Sequence, residues 1–274
     1  MKDNKLKFIV NETTTLNEEL KKKLSRRFYR HLKHEEAIIL VNGETKKGFE
    51  MVNPSDVIEI TLPVSKKELK WQEADKLPII IYEDDNYLIV NKEAGLLTIP
   101  TKADPHSLYQ QVALYLKNAD IHILNRLDRE TNGLVVVAKN RYAASLLQPT
   151  HKHIIRKYYC LVEGKVLQDE TITNYIAKSS DSNKRYVTSS ENGQLAISHY
   201  KVIRKDKNTT LLEFILDTGR THQIRVHTSN MGHPIVGDDL YGTPGERLCL
   251  TSYYVEFINP FNKEKVKVEI GCEF

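Results

Sequence analysis

The sequence predicts an α+β protein built on a mixed, largely antiparallel sheet, and three observations lead there. Strand signals dominate beyond residue 78, at Ile79-Ile-Ile-Tyr, Tyr87 to Asn91, Val135-Val-Val-Ala, Tyr158 to Glu163, Ile197 to Ile203, Thr210 to Leu216 and Tyr254 to Ile258. Most connections between them are short, the length that joins neighbouring antiparallel strands. Helical patterns are fewer, at His106 to Lys117 and Arg141 to Gln148. The first strand, Ile79 to Tyr82, reads as buried and runs into an acidic turn at Glu83-Asp-Asp; the second turns through Lys92-Glu-Ala-Gly95.

The bulk numbers narrow the class. At 274 residues the chain holds one large domain or a large and a small one. With 40% hydrophobic and 28% charged residues it has the composition of an ordinary globular protein rather than a disordered one. No apolar run approaches the ~18 residues that cross a bilayer, and Met1 to Glu12 lacks a signal-peptide core, so no membrane partner is expected. Cys160, Cys249 and Cys272 are odd in number and far apart; they read as free thiols of a cytoplasmic protein, not as a disulfide or zinc framework. A monomer is expected. The net charge of +4 is mild, but its distribution is uneven. Between Leu20 and His34 lie seven Lys or Arg, two His and no acid.

In that stretch Leu16, Leu20, Leu24, Phe28 and Leu32 recur every four residues, as on one side of a helix or of a helical pair broken near Ser25. Basic residues fill the other faces. Ala37 to Val41 is a short strand entering an Asn42-Gly43 turn, a hairpin signal, and Asn53-Pro-Ser-Asp56 turns the chain into a strand at Val57 to Leu62. A basic helix alone is most simply a solvated face. The order of helix, Ser-Arg-Arg, strand, Val-Asn-Gly and Asp-Val-Ile-Glu-Ile, however, resembles the S4 RNA-binding module in reduced form. That resemblance implies an α/β module over residues 1–62 whose Lys22, Arg26, Arg27 and Arg30 face phosphates. Residues 63–77, rich in Lys and Glu and holding Trp71, read as a linker, and residues 78–274 as the catalytic domain.

Two segments carry chemistry. In Asn125-Arg-Leu-Asp-Arg-Glu-Thr-Asn-Gly133, Asp128 sits in a polar loop directly before an apolar strand, so that a rigid element presents its carboxylate. Local turn-making by Asp128 and Thr131 is the plainer alternative. The second segment, Gly219 to Gly242, is dense in Arg, His, Gly and Gln. Its His222, His227 and His233 are spaced by five and six, which suits neither a helical nor a strand metal pair, so no metal is expected. His151 and His153 read as surface histidines.

Together these segments closely resemble the RluA family of pseudouridine synthases. The family pattern H-R-L-D-x-x-T-S-G is met by Asn125 to Gly133, G-R-T-H-Q-I-R-x-H by Gly219 to His227, and G-H-P-I-x-G-D-x-x-Y-G by Gly232 to Gly242. Arg156-Lys-Tyr158 through Gly164 supplies a further element, and the likeness spans about residues 78–262. The resemblance implies a catalytic domain of pseudouridine synthase type, with Asp128 catalytic, Arg225 paired with it, and Tyr158 across the flipped base. It implies RNA contacts from Arg126, a wedge or phosphate clamp, and from Arg220, His222 and Gln223. A base hidden in stacked RNA must be extruded to be modified. The isomerisation moves no electrons and needs no activated group, so no cofactor is expected.

Departures from the pattern are Asn125 for His, Asn132 for Ser, Glu93 for Pro, Leu248 to Ser252 for a segment carrying Leu-His-Ala, and Asn259 for His. They lie beside the catalytic positions and bear on which RNA loop is recognised. The module ahead of the catalytic domain favours large-subunit ribosomal RNA as substrate, with tRNA second. Two other readings compete. A silent RNA-binding or ribosome-assembly factor predicts loss of Asp128, Arg225 or Tyr158, and all are present. A hydrolase using Asp84 with Asp85, or Asp238 with Asp239, requires adjacent acids in turns to act as pairs, for which they point the wrong way.

Overall fold

The computed structural model describes residues 5–24, 26–34, 37–61, 69, 73–147, 154–272 and 274. Most of the expected linker, Trp71 included, lies outside these residues, as do Ser25, Gln148, His151 and His153.

Residues 5–61 form β1 (Lys5–Ile9), β2 (Thr14–Thr15), α1 (Leu16–Lys23), α2 (Arg26–His34), β3 (Ile38–Val41), β4 (Glu44–Thr45), β5 (Met51–Val52) and β6 (Val57–Thr61). The sheet order is β1-β6-β3-β4, antiparallel throughout, with β2 and β5 paired apart. The four-residue spacing serves two helices, not one. Thr15 caps α1 by accepting from the Glu18 N–H, and Leu24 leaves it with extended φ and ψ of −116° and 146°. Leu16, Leu20, Leu24, Phe28 and Leu32 nonetheless share one core with Val41, Val52, Ile58 and Ile60. Asn42 and Gly43 both take positive φ, 54° and 88°, as a two-residue hairpin requires for its twist to match the strands.

The remaining elements are β7 (Ile79–Glu83), β8 (Tyr87–Lys92), α3 (Leu108–Tyr115), β9 (His122–Ile123), β10 (Asn132–Ala138), α4 (Arg141–Leu147), β11 (Ile155–Glu163), β12 (Glu170–Lys178), β13 (Arg185–Thr188), β14 (Gln194–Lys205), β15 (Thr209–Leu216), α5 (Gln223–Asn230), β16 (Leu250–Ile258) and β17 (Lys265–Glu269). Their strands make one sheet in the order β13-β12-β14-β15-β11-β16-β10-β8-β7, with β17 on β16 and β9 on β10. Among the described strands of this sheet only the short contact between β10 and β16 is parallel, so the sheet is mixed and largely antiparallel, as the sequence predicts. The central strands are covered on both faces. Leu88, Val90, Val135 and Val137 enter a core with Leu108 and Val112 of α3 and Ile224 of α5. The alternate residues Tyr87, Ile89, Leu134, Val136 and Ala138 enter a second core with Ala143, Ala144 and Leu147 of α4. Burial on both sides explains why Val135-Val-Val-Ala reads as a continuous apolar run.

Tyr142 of α4 leaves that second core and joins the first module. Its ring lies 5.2 Å from Phe28 and 6.0 Å from Phe8, and 5.6 Å from Phe261. An aromatic cluster therefore seats residues 5–61 on the large sheet.

One expectation needs correction, and two features go beyond the apolar patterns. β7 is an outer strand of its sheet, not a buried one, and Ile79 and Ile81 are 46% and 41% exposed. Strands β12, β13 and β17 are additional to those the apolar patterns mark. The motif from Gln223 onward is a helix, α5. No helix among the described residues is long and apolar enough to cross a membrane.

At the crossing of β10 and β16, Gly133 has φ of 120°, and a Cβ there would run into the Ser252 backbone. Both the dihedral and the close approach require glycine. Gly133→Ala is therefore expected to lower unfolding stability by on the order of 1–3 kcal/mol, measured by denaturant titration; an unchanged midpoint would contradict this packing.

Candidate active site

A cavity of about 320 Å³ opens where the loop before β10 faces β11 and the start of α5. That volume is at the small end of the roughly 300–1,000 Å³ usual for ligand sites. It brings together Asp128, Tyr158 and Arg225 with Arg126, Arg156, Arg220, His222 and Gln223.

The Asp128 loop is fixed from beneath through its backbone. Lys92, fully buried at the end of β8, donates its ammonium to the carbonyls of Glu93, Leu96 and Arg129 at 2.8–2.9 Å. Burial brings that ammonium down to about 8, against the opposing pull of Glu130 and Asp128. Buried Thr98 donates to the Leu127 carbonyl at 2.6 Å and accepts from the Leu127 N–H. Thr131 N–H returns to the Asp128 carbonyl at 3.2 Å. The turn-making alternative is thus true of this backbone, but not of the carboxylate. Among the described residues nothing donates a hydrogen bond to the half-buried Asp128 side chain and no cation forms an ion pair with it. The Thr131 hydroxyl is buried in the same wall with no partner among them.

Tyr158 enters from β11 at the point where the register with β16 shifts, between Lys157 and Tyr158. Such a bulge re-aims a side chain. The ring is buried, and burial pushes its phenol up although Arg156 opposes the shift. At neutral pH it is a protonated donor and a flat apolar face.

Arg225 is buried in α5. Its Nε and Nη2 donate to Asp238 at 2.8 and 2.6 Å, and Nη2 also to Asp239 at 3.2 Å. The guanidinium lies over the Tyr241 ring, 5.2 Å from its centroid. The expected direct pairing of Arg225 with Asp128 is therefore corrected: the guanidinium is already gripped two-pronged by Asp238, and Asp128 acts on it only as a nearby charge. Asp238 is itself fixed by the N–H groups of Leu240 and Tyr241, each at 3.0 Å. Burial pushes its carboxyl up, but Arg225 and those two donors outweigh burial and hold it below the ordinary carboxylate value.

His222 stands at the N-terminus of α5 with φ of 59°. Its Nδ1 meets the Tyr241 hydroxyl at 2.9 Å, and that hydroxyl accepts from the Arg185 backbone N–H at 2.7 Å. Burial lowers its imidazole, with Asp128 opposing. The other two histidines of this segment make structural contacts: His227 meets the Ser198 hydroxyl and His233 the Glu163 carbonyl.

Of the expected RNA contacts, Arg126 and Arg220 are exposed at the cavity. Gln223 is not available. Its amide oxygen accepts from the Thr218 hydroxyl and the Arg220 N–H, and its amide nitrogen donates to Ile197 and Ser198, so it is a buried brace for the turn. Lys22 pairs with Glu12, while Arg26 and Arg30 are exposed on α2; the Arg27 side chain lies outside the described residues. The departures are equally legible. Asn125 is buried and bridges β10, donating to Leu134 and accepting from Val136 at 3.2 and 2.8 Å. Asn132 accepts from Thr251, and Asn259 donates to Asp84. Residues whose roles the sequence does not single out are Lys92, Thr98, Asp238 and Tyr241. Asp238 and Tyr241 stand in the G-D-x-x-Y-G pattern, which is their only sequence signal. The paired-acid reading fails, since Asp84 holds a turn and Asp238 holds Arg225.

Fold and site together place a carboxylate, a phenol and a fixed guanidinium around one small cavity, an arrangement suited to an enzyme acting on a compact substrate group. The family model for RNA pseudouridylate synthase matches residues 86–230. The chain is 33% identical over 263 residues to "Uncharacterized RNA pseudouridine synthase YjbO" of Bacillus subtilis (strain 168), covering 89% of this chain and 90% of that one. It is 35% identical over 226 residues to "Ribosomal large subunit pseudouridine synthase C" of Rickettsia felis, covering 74% and 73%. In fold it is similar to the solved structure titled "Human RNA Pseudouridylate Synthase Domain Containing 1", with a TM-score of 0.61 at 24% identity over 73% of this chain and 86% of that one. The chain belongs to the RluA-type RNA pseudouridylate synthase family, and is an RNA-modifying isomerase.

Asp238→Asn would leave the Arg225 charge buried with only exposed Asp239 as counter-ion, an expected loss toward the lower end of about 3–5 kcal/mol. The sign with pH follows from the depressed carboxyl. Its contribution is fully present above its ordinary value near 3.8 and is lost as pH falls below that, through the folded value. Urea titrations from pH 6 to pH 2 should show the acid loss in the wild type diminished in the variant; identical curves would contradict it.

Proposed function

We propose that this enzyme isomerises uridine in large-subunit ribosomal RNA, with Asp128 as the catalytic carboxylate, Tyr158 against the flipped uracil, and Arg225 as the fixed positive charge beside them. The observation that carries this reading is the meeting of those three side chains in one base-sized cavity. The glycosidic bond must break, the uracil must turn, and a carbon–carbon bond must form to the same sugar. Whether Asp128 attacks the sugar or takes a proton from it, it acts as a carboxylate. Its oxygens have no partner to surrender among the described residues, and the Arg225 guanidinium stands close enough to feel Asp128 as a nearby charge. Tyr158 offers a stacking face and a hydroxyl donor. Arg126, at the exposed rim beside Asp128, takes the place of the extruded base or clamps a phosphate.

The choice of RNA is supported by relatives named as large-subunit ribosomal RNA enzymes. Residues 1–62 act as an S4-like RNA-binding module ahead of a catalytic domain over 78–274, with Arg26 and Arg30 toward phosphates. The protein works as a cytoplasmic monomer without cofactor or metal.

Mapping pseudouridines in total RNA from cells with and without the gene should show one or a few lost ribosomal sites, restored by the wild type and not by Asp128→Ala. Full restoration by that variant would overturn the role of Asp128, and sites lost only from tRNA would overturn the choice of RNA. Arg26→Gln with Arg30→Gln should lower the slope of log K against log salt by about 0.7–0.9 per phosphate neutralised by these side chains, while leaving the rate at saturating RNA unchanged; an unchanged slope would remove the module from the interface.

A further inference from the structure

A second cavity, of about 520 Å³, adjoins the catalytic one and shares Arg220 and Thr221 with it. Its other walls are the ends of β12 and β13 and the turn before β14. Three cations, Lys178, Arg185 and Arg220, line it, with no acid among the lining residues. None of the three forms an ion pair among the described residues, whereas cations nearby on the same sheet do, as in Lys157 with Glu213 and Arg204 with Asp206.

The placement of these cations runs against the stability of the apo fold. Lys178 and Arg185 are directly opposed in the antiparallel register of β12 and β13, and like charges so placed repel. Arg185 is half-buried and its Nη1 is shielded from solvent with no acceptor among the described residues, a donor left unsatisfied inside the protein. Arg220 is oriented by donating its Nε to the Leu195 carbonyl. An anion in the cavity, between the side chains of Lys178, Arg185 and Arg220, would relieve the repulsion and fill the vacant donor together.

We propose that this cavity is a phosphodiester site, which holds the backbone of the substrate RNA beside the uridine that enters the catalytic pocket. The inference rests on the proposed reaction for the identity of the anion, and on Lys178, Arg185 and the shared rim at Arg220 and Thr221 for its place. Because the Arg185 backbone N–H holds the Tyr241 hydroxyl, which in turn meets His222 in the catalytic pocket, a phosphate on Arg185 binds to the same hydrogen-bonded wall that shapes the base site.

The test compares wild type, Lys178→Gln with Arg185→Gln, Arg185→Lys, and Lys267→Gln as a surface control. Kd, KM and kcat are measured on one ribosomal RNA fragment over a range of salt. The double variant should raise Kd and KM by tenfold or more, lower the salt slope by about 0.7 for each phosphate of a single strand that it no longer neutralises, and leave kcat unchanged. Arg185→Lys should retain most of the affinity, and Lys267→Gln should match the wild type. Without RNA, the double variant should melt no lower than the wild type, since a repulsive pair has been removed; a merely structural pair would give a lower Tm. Unchanged Kd and salt slope in the double variant, or an equal change in Lys267→Gln, would overturn the site. If the wild type forms no pseudouridine, the proposed reaction fails, and Kd for the same RNA still decides whether the cavity binds its backbone.

Discussion

A guanidinium buried at the wall of the cavity needs a counter-charge that does not leave, and this chain supplies it from Asp238 rather than from Asp128. The two-pronged contact at 2.6 and 2.8 Å fixes both the plane and the position of Arg225. Tyr241 covers one face of it, and the same Tyr241 holds His222 at the pocket wall. With Arg225 satisfied in this way, Asp128 is left as a carboxylate near a positive charge but not bonded to it. That arrangement leaves the Asp128 oxygens unoccupied by the guanidinium, which donates instead to Asp238 and Asp239.

The opposite wall is built on the same principle of satisfying backbone first. Lys92 gathers three carbonyls around one buried ammonium, and Thr98 clasps Leu127 from both directions. Gly133 lets β10 and β16 approach closely enough for Asn132 to reach Thr251. These contacts hold the loop so that the Asp128 carboxylate itself is free of structural duty. A site is most precise when the residues around it, and not the reacting group, carry the burden of position.

The parts legible in the sequence were those with a strong local signature. Asn42-Gly43 marks its hairpin, the apolar run Val135 to Ala138 its strand, and the segments at Asn125 to Gly133, Arg156 to Tyr158 and Gly219 to His227 the residues that meet in the pocket. The parts that were not legible depend on distant partners. In β12 only Ile172 and Ile176 turn inward among polar neighbours, so its alternation is too sparse to mark a strand. The helix α5 carries Gln223, Arg225 and His227 into the interior, which erases the usual apolar stripe. That Arg225 would choose Asp238 over Asp128 follows from which carboxylate the fold brings within reach of its fork, and sequence spacing through a loop does not reveal that. Gln223 misled for the same reason: a polar residue in a motif suggests contact with ligand until its four internal bonds are seen.

The most direct test of this account is the single-turnover rate of pseudouridine formation at saturating RNA in Asp238→Asn, at a temperature where the variant remains folded. If Asp238 sets the position of the guanidinium beside Asp128, the rate should fall on the order of 10²-fold, as small misplacements in an active site do, while RNA affinity stays close to that of the wild type. A wild-type rate from that variant would mean that the buried pair supports the fold alone and that the chemistry does not depend on where Arg225 is held.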